Sequence, residues 1–211
     1  MTLNPHGTQP IVAAGPPLAH AAGAIILLHG RGGSVQDILG LGAEIAPEGW
    51  AMLAPTAAGH TWYPYSFLAP REQNEPFLTS ALGSVQAALD TALAAGIPTE
   101  KIVVSGFSQG ACLATEFVGR NPQRYGALVA FTGGLIGPVD IPITLAGDLA
   151  GTPVHLSSGD PDPHVPWARV QQSGELLQEI GGRVTLHRHP GRLHTIGGDE
   201  IRVANEMLAA V

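Results

Sequence analysis

Apolar residues fall in short unbroken runs separated by turns rich in glycine and proline. Ala24-Ile25-Ile26-Leu27-Leu28, Ala51-Met52-Leu53-Ala54 and Ala127-Leu128-Val129-Ala130-Phe131 are runs of this kind. An uninterrupted apolar run of this length marks a strand covered on both faces, as in a parallel sheet. Lys101 to Val104, Pro153 to Ser157 and Arg183 to His187 read as further strands. Ile11 to Ala14 reads as an edge strand that Gly15-Pro16-Pro17 breaks.

Between these runs the apolar spacing changes to that of helices. Ser34 with Asp37 three residues on is a helix-start pattern, and Val35, Ile38, Leu39 and Ile45 follow at helical spacing. Phe77 to Ala95 carries Leu78, Leu82, Val85, Leu89, Ala92 and Leu93 on one face, with Gly96 as its stop. Ala111 to Val118 is a third helix, ended by Asn121-Pro122. A fourth starts at Pro166 and stops at Gly181, and a last one spans about 198–210. Two stretches, 56–75 and 135–151, have no regular pattern; loops this long in a compact domain usually serve function or move.

Strands and helices thus alternate to the end of the chain. That predicts an α/β protein with a mostly parallel sheet and helices on both faces. No repeat, linker or charge run divides the 211 residues, which read as one domain with residues 1–20 as an N-terminal lead-in.

Composition narrows the class. Only 13% of residues are charged against 45% hydrophobic, which describes a well-buried globule rather than a disordered chain. The net charge of −7 disfavours binding to nucleic acids and to anionic membrane surfaces. Cys112 is the single cysteine, so no internal disulfide can form, and it reads as a small buried apolar side chain. Met1 to Pro10 lacks the Lys or Arg of a signal peptide, and the most apolar stretch, 21–28, is far short of the ~20 residues of a membrane span. The expectation is a cytoplasmic protein without stable membrane insertion. Whether it pairs as a homodimer through an exposed surface is left open.

Chemistry concentrates at Gly106-Phe107-Ser108-Gln109-Gly110, between a strand and a helix. Strand, Gly-x-Ser-x-Gly, helix is the layout of a nucleophile elbow, in which a tight turn presents the serine hydroxyl at the top of a sheet. In a chain with 28 glycines the bare pattern says little, so its partners decide. A serine needs a base within hydrogen-bond reach and a group that orients the base. Asp160 and Asp162 compete for the orienting position, both in the proline-rich turn after a strand. Of the nine histidines, His6 and His20 read as solvated lead-in residues, His60 belongs to the first long loop and His155 reads as packed within a strand. His164 is too close to Asp162 in sequence to be the obvious base. His194, in the loop between the last strand and last helix, is the chosen base and His189 the fallback. His187 and His189 alternate on one strand face and with His194 offer a zinc alternative, though without an acidic or cysteine ligand. Two backbone N–H groups are needed for the developing oxyanion: Gln109, after the serine, and Arg31, in the glycine-rich turn after an earlier strand, fit.

These stretches together resemble the carboxylesterase/phospholipase family of α/β-hydrolases, the group that includes acyl-protein thioesterases. The likeness rests on Leu27-Leu28-His29-Gly30-Arg31-Gly32, Ala54-Pro55, Trp62-Tyr63-Pro64, Gly106 to Gly110, Asp162-Pro163-His164-Val165-Pro166 and Gly191-Arg192-Leu193-His194, in the family's order over about residues 24–208. It looks closer to small bacterial serine esterases than to the eukaryotic thioesterases. The resemblance implies an α/β-hydrolase fold without a large cap, and a carboxylesterase acting on small to medium acyl esters or thioesters. It implies Ser108 as nucleophile, Asp162 rather than Asp160 as the orienting acid, His194 as base, and Arg31 and Gln109 as oxyanion donors. The partner expected is a small-molecule ester, and the chemistry calls for no metal or organic cofactor. Trp62, Tyr63, Tyr65 and Phe67 are expected to line the substrate pocket under the two long loops. Where the family usually carries a small or apolar residue this chain has Arg31, a cation at the crevice mouth. Lysophospholipase or dienelactone-type lactone hydrolysis are the alternatives on the same residues, and a catalytically silent binding protein on the same scaffold is the alternative of another class.

Overall fold

A computed structural model describes residues 3–211. Seven strands form one sheet in the order β1-β3-β2-β4-β5-β6-β7. They are β1 (Ile11–Ala14), β2 (Ala24–Leu28), β3 (Ala51–Pro55), β4 (Ile102–Phe107), β5 (Ala127–Phe131), β6 (Pro153–Asp160) and β7 (Arg183–Pro190). All neighbours pair in parallel except β1, which runs antiparallel to β3 along one edge. The helices are α1 (Val35–Ile45), α2 (Phe77–Ala94), α3 (Gln109–Arg120), α4 (Trp167–Glu179) and α5 (Gly198–Leu208). The mostly parallel, doubly covered sheet expected from the apolar runs is therefore present, and among the described residues no large cap is inserted.

The alternation of side chains along each strand makes two cores. Ala24, Ile26 and Leu28 of β2 and Ile102 and Val104 of β4 pack with α2, α3 and α4. Ile25, Leu27, Val103, Val129 and Phe131 pack on the opposite face with α1 and α5. Complete burial of one such Leu or Ile side chain stabilises by about 1.5–3 kcal/mol relative to exposure, and every residue of β2 is 0% exposed. Sequence order explains the crevice: from β2 the chain moves outward to β3, then crosses back to β4 on the other side. Such a reversal leaves a gap above the carboxyl ends of β2 and β4, where ligands bind in open α/β sheets.

Several details differ from expectation. β4 continues through Ser105 and Gly106 to Phe107 because these residues keep pairing with β2 and β5. β7 reaches Pro190 by following β6 in register to Asp160. Residues 56–75, expected as irregular, hold two short 3-10 turns at Ala58–His60 and Arg71–Asn74.

Candidate active site

Ser108 sits between β4 and α3 with φ 54° and ψ −119°. A positive φ in a residue with a side chain costs on the order of 1–3 kcal/mol and persists only when its surroundings enforce it. Here the Ser108 N–H donates to the Phe131 carbonyl at 3.0 Å, and its own carbonyl accepts from Cys112 N–H at 2.9 Å. The flanking glycines are required by contact. A Cβ on Gly110 would lie 2.0 Å from the Leu28 carbonyl oxygen, and one on Gly106 would lie 2.5 Å from Gly110 carbon. The elbow therefore nests against the end of β2, and the hydroxyl stands at the rim of the sheet.

The loops after β6 and β7 bring an acid and an imidazole to that hydroxyl. His194 Nε2 is 2.8 Å from Ser108 Oγ, and His194 Nδ1 is 2.8 Å from Asp162 Oδ2. The other oxygen of Asp162 accepts the backbone N–H groups of His164 and Val165, each at 2.8 Å. Burial pushes the Asp162 carboxyl up, but these two N–H groups and His194 outweigh it and hold the carboxyl below the ordinary value. An ionised Asp162 accepts from Nδ1–H, which leaves Nε2 unprotonated and facing the serine hydroxyl. The imidazole is packed edge-on by His164 and flanked by Phe107, with ring centroids 4.9 and 5.2 Å away.

Asp160, the other candidate acid, points elsewhere and pairs with Arg188. His189, the fallback base, faces Asp199 at 3.2 Å and Glu200 at 3.7 Å. His187 meets His155, Nδ1 to Nδ1 at 3.3 Å. The three histidines weighed as zinc ligands thus have three separate sets of partners. Among the described residues no group of three or more potential ligands is arranged to hold a metal ion.

Arg31 and Gln109 face the same crevice as Ser108. Gln109 is the first residue of α3, so its N–H has no partner within the helix. Their side chains do something the sequence did not reveal. The Arg31 guanidinium donates to the carbonyls of Tyr63, Pro64 and Tyr65 at 2.8–2.9 Å. The Gln109 amide accepts from Trp62 N–H and donates to Tyr63 carbonyl, at 2.9 and 2.8 Å. Arg31 therefore braces the aromatic loop as well as lining the crevice as a cation.

That loop has two further anchors. Buried Asn74 accepts from Tyr65 N–H and donates to Ser66 carbonyl. His6, expected to be solvated, is 1% exposed. Its Nδ1 accepts from Ala58 N–H at 3.0 Å, which leaves Nε2–H to donate to Trp62 carbonyl at 2.9 Å. Burial lowers its pKa, so the ring sits neutral as a strut. The lead-in is thus built into the site's foundations.

A cavity of about 560 Å³ opens beside Ser108. Tyr63, Tyr65 and Phe67 line it. Trp62 does not: it is fully buried beneath, with its indole N–H on His29 carbonyl at 2.8 Å. Cys112 contributes to the inner wall, and burial pushes its thiol up to about 12, so it presents a neutral surface. His164 and Val165 complete the side nearest Asp162; their position next to the acid in sequence was the available signal. The histidine loop is clamped by Arg192, which grips Asp199 at 2.7 Å and buried Glu200 at 2.6 Å in the first turn of α5.

The sequence profile of the Phospholipase/Carboxylesterase family matches residues 11–211. A solved structure of a phospholipase/carboxylesterase from Dyadobacter fermentans is 43% identical and superposes with a TM-score of 0.93, covering 99% of this chain and 100% of that one. Acyl-protein thioesterase 1 of Schizosaccharomyces pombe is 27% identical over 192 residues, covering 79% of this chain and 80% of its own. A probable carboxylesterase, SOBER1-like, of Arabidopsis thaliana is 29% identical over 136 residues, covering 64% of this chain. This chain spans about half the length of that plant relative, 52%.

Proposed function

The chain belongs to the phospholipase/carboxylesterase family of hydrolases, and from that premise we propose that it is a serine esterase working through an acyl-serine intermediate. The observation that carries this reading is the unbroken hydrogen-bond line from Asp162 through His194 to Ser108, at 2.8 Å per link, on a serine held at positive φ. His194 Nε2 takes the hydroxyl proton as Ser108 Oγ bonds to the carbonyl carbon. The carbonyl oxygen becomes an oxyanion held by the N–H groups of Arg31 and Gln109; one such donor contributes about 2.7–4 kcal/mol to transition-state stabilisation. The tetrahedral centre collapses, the bond to the leaving oxygen or sulfur breaks, and His194 returns the proton to the leaving atom. Water then attacks the acyl-Ser108 with His194 as base, releasing the acid and restoring the hydroxyl. Asp162 remains ionised throughout and fixes the imidazole tautomer.

The substrates are small esters or thioesters with short to medium acyl chains. A cavity of about 560 Å³ roofed only by loops suits that range. Treatment with a fluorophosphonate probe, followed by mapping of the labelled residue and a p-nitrophenyl ester series, tests the reading. Label on Ser108 and turnover that Ser108→Ala abolishes are expected. No label and no turnover would overturn the hydrolase reading, and a fully active Ser108→Ala would overturn the choice of nucleophile.

A further inference from the structure

The cavity that holds Ser108, Gln109 and His194 is also lined by Arg31. Among the described residues, Arg31 is the one arginine or lysine in that lining, and no aspartate or glutamate joins it. Asp162 lies behind His194 with its side chain 0% exposed, its oxygens given to His194 and to two backbone N–H groups. The Arg31 guanidinium bonds to the carbonyls of Tyr63, Pro64 and Tyr65, which hold it in place without neutralising it. It forms no ion pair among the described residues. Asp37, which lines a neighbouring cavity with Arg31, is tied instead to Ser34 Oγ and N–H at 2.7 and 2.8 Å. An arginine has five N–H donors. Three are used here, so two have no partner among the described residues.

We propose that Arg31 makes the crevice selective for esters that carry a carboxylate close to the scissile carbonyl. The proposal rests on the esterase reading above and narrows its substrate class. In that reading the Arg31 main-chain N–H holds the oxyanion, so one side chain joins the reacting carbonyl to a fixed positive charge. A carboxylate only a few bonds from the carbonyl therefore comes within reach of the guanidinium. The net charge of −7 repels anions at long range, but salt screens exposed charges beyond about 10 Å at 0.1 M, which leaves the cation inside the crevice to decide. Holding the guanidinium in advance also removes part of the ordering cost that an exposed ion pair ordinarily meets. Half-esters of short dicarboxylic acids fit this description, as do esters whose alcohol bears the carboxylate. The recognised chemistry is the same in both, and Phe67 and Cys112 line the same cavity for the apolar part of the molecule.

The test pairs each anionic ester with a neutral amide of the same shape. Monomethyl glutarate is compared with the methyl ester of glutaramic acid, which places the charge on the acyl arm. The butyryl ester of glycolate is compared with that of glycolamide, which places it on the alcohol arm. In one pair or the other the wild-type protein should favour the anion by about fivefold in kcat/KM, the upper range for an exposed ion pair. The preference should lie in KM, because the contact is made before and during the reaction alike, and it should shrink as salt is raised. Arg31→Gln also loosens the aromatic loop, so turnover of both members of a pair should fall, but the anion-to-amide ratio should fall to about one. Arg31→Lys should keep most of the ratio. Equal use of anion and amide in both pairs by the wild-type protein would overturn the inference, and this result is readable even if the glutamine variant does not fold. A ratio unchanged in Arg31→Gln would overturn it too, leaving Arg31 as a brace only. Either result leaves the esterase reading intact, since the neutral esters are still hydrolysed. No turnover of any of the four esters together with no labelling of Ser108 would count against the esterase reading instead.

Discussion

His155 makes the fold acid-sensitive by a calculable amount. It lies in the middle of β6, is 0% exposed, and packs against Phe131 and His187 with ring centroids at 6.3 and 5.0 Å. Its Nε2 is buried with no hydrogen-bond partner among the described residues. Burial, with smaller contributions from His187 and His189, lowers its pKa from 6.5 to about 4. The unfolded chain therefore binds this proton more readily than the folded one. Stability is complete above the unfolded value and is lost as pH falls from about 6.5 toward 4. For these two pKa values the penalty is about 0.2 kcal/mol at pH 7, about 0.8 at pH 6 and about 2 at pH 5. His155→Leu, of similar size, removes the titrating group. Its packing effect is independent of pH, so the informative quantity is the change in the wild-type-minus-variant difference. Urea unfolding at pH 7, 6 and 5 should show that difference moving by about 1.8 kcal/mol in the variant's favour between pH 7 and 5. His6 and His29, which burial also lowers, titrate in both proteins and cancel. Parallel stability curves for the two proteins across that range would refute the reasoning.

Other perturbations test other joints of the structure. Gly110→Ala drives a methyl group into the Leu28 carbonyl and should cost more than about 4 kcal/mol, read as loss of soluble, cooperatively unfolding protein. Arg192→Ala frees the histidine loop from Asp199 and Glu200 and should lower kcat by about 10²-fold with little change in KM, since a small displacement of His194 is enough; an unchanged kcat would show that the clamp does not position the imidazole. Glu116 is fully buried, accepts Ile136 N–H at 3.0 Å and pairs with Arg71 and Arg120. Glu116→Ala should destabilise by about 2–4 kcal/mol in denaturant titration, mainly through the unpaired N–H and arginines it leaves.

The elements and the elbow were legible because they are written in contiguous residues. The runs 24–28, 51–54 and 127–131 appear as strands because burial on both faces leaves no polar position to interrupt them. Ser34 with Asp37 was readable as a helix start, and both halves of that capping box are formed. What escaped was made by contacts distant in the chain. His6 meets Trp62 across 56 positions and the backbone N–H of His6 meets Ser80 across 74. A histidine among lead-in residues carries no local mark of such burial. Asp160 and Asp162 were equivalent by local pattern. They differ in which way the turn faces them, toward Arg188 or toward His194, and that depends on β7 aligning with β6 as far as Pro190. Arg31 and Gln109 were chosen for their main chains, whereas their side chains hold the aromatic loop, a role that no spacing encodes.

The main chain of 62–66 is held along its length by side chains from elsewhere in the fold. Trp62 N–H and carbonyl, the carbonyls of Tyr63, Pro64, Tyr65 and Ser66, and Tyr65 N–H are all gripped by side chains from His6, Arg31, Asn74 and Gln109. None of those grips depends on what residues 65 and 66 carry beyond Cα. The backbone mount and the surface it displays are therefore separable, and descendants of this chain can exchange the displayed side chains while the mount stays put. Such a layout lets the displayed surface drift by substitution at the exposed Tyr65 side chain while the main-chain grips hold, which is the condition under which a lineage of hydrolases can diversify without passing through unfolded intermediates.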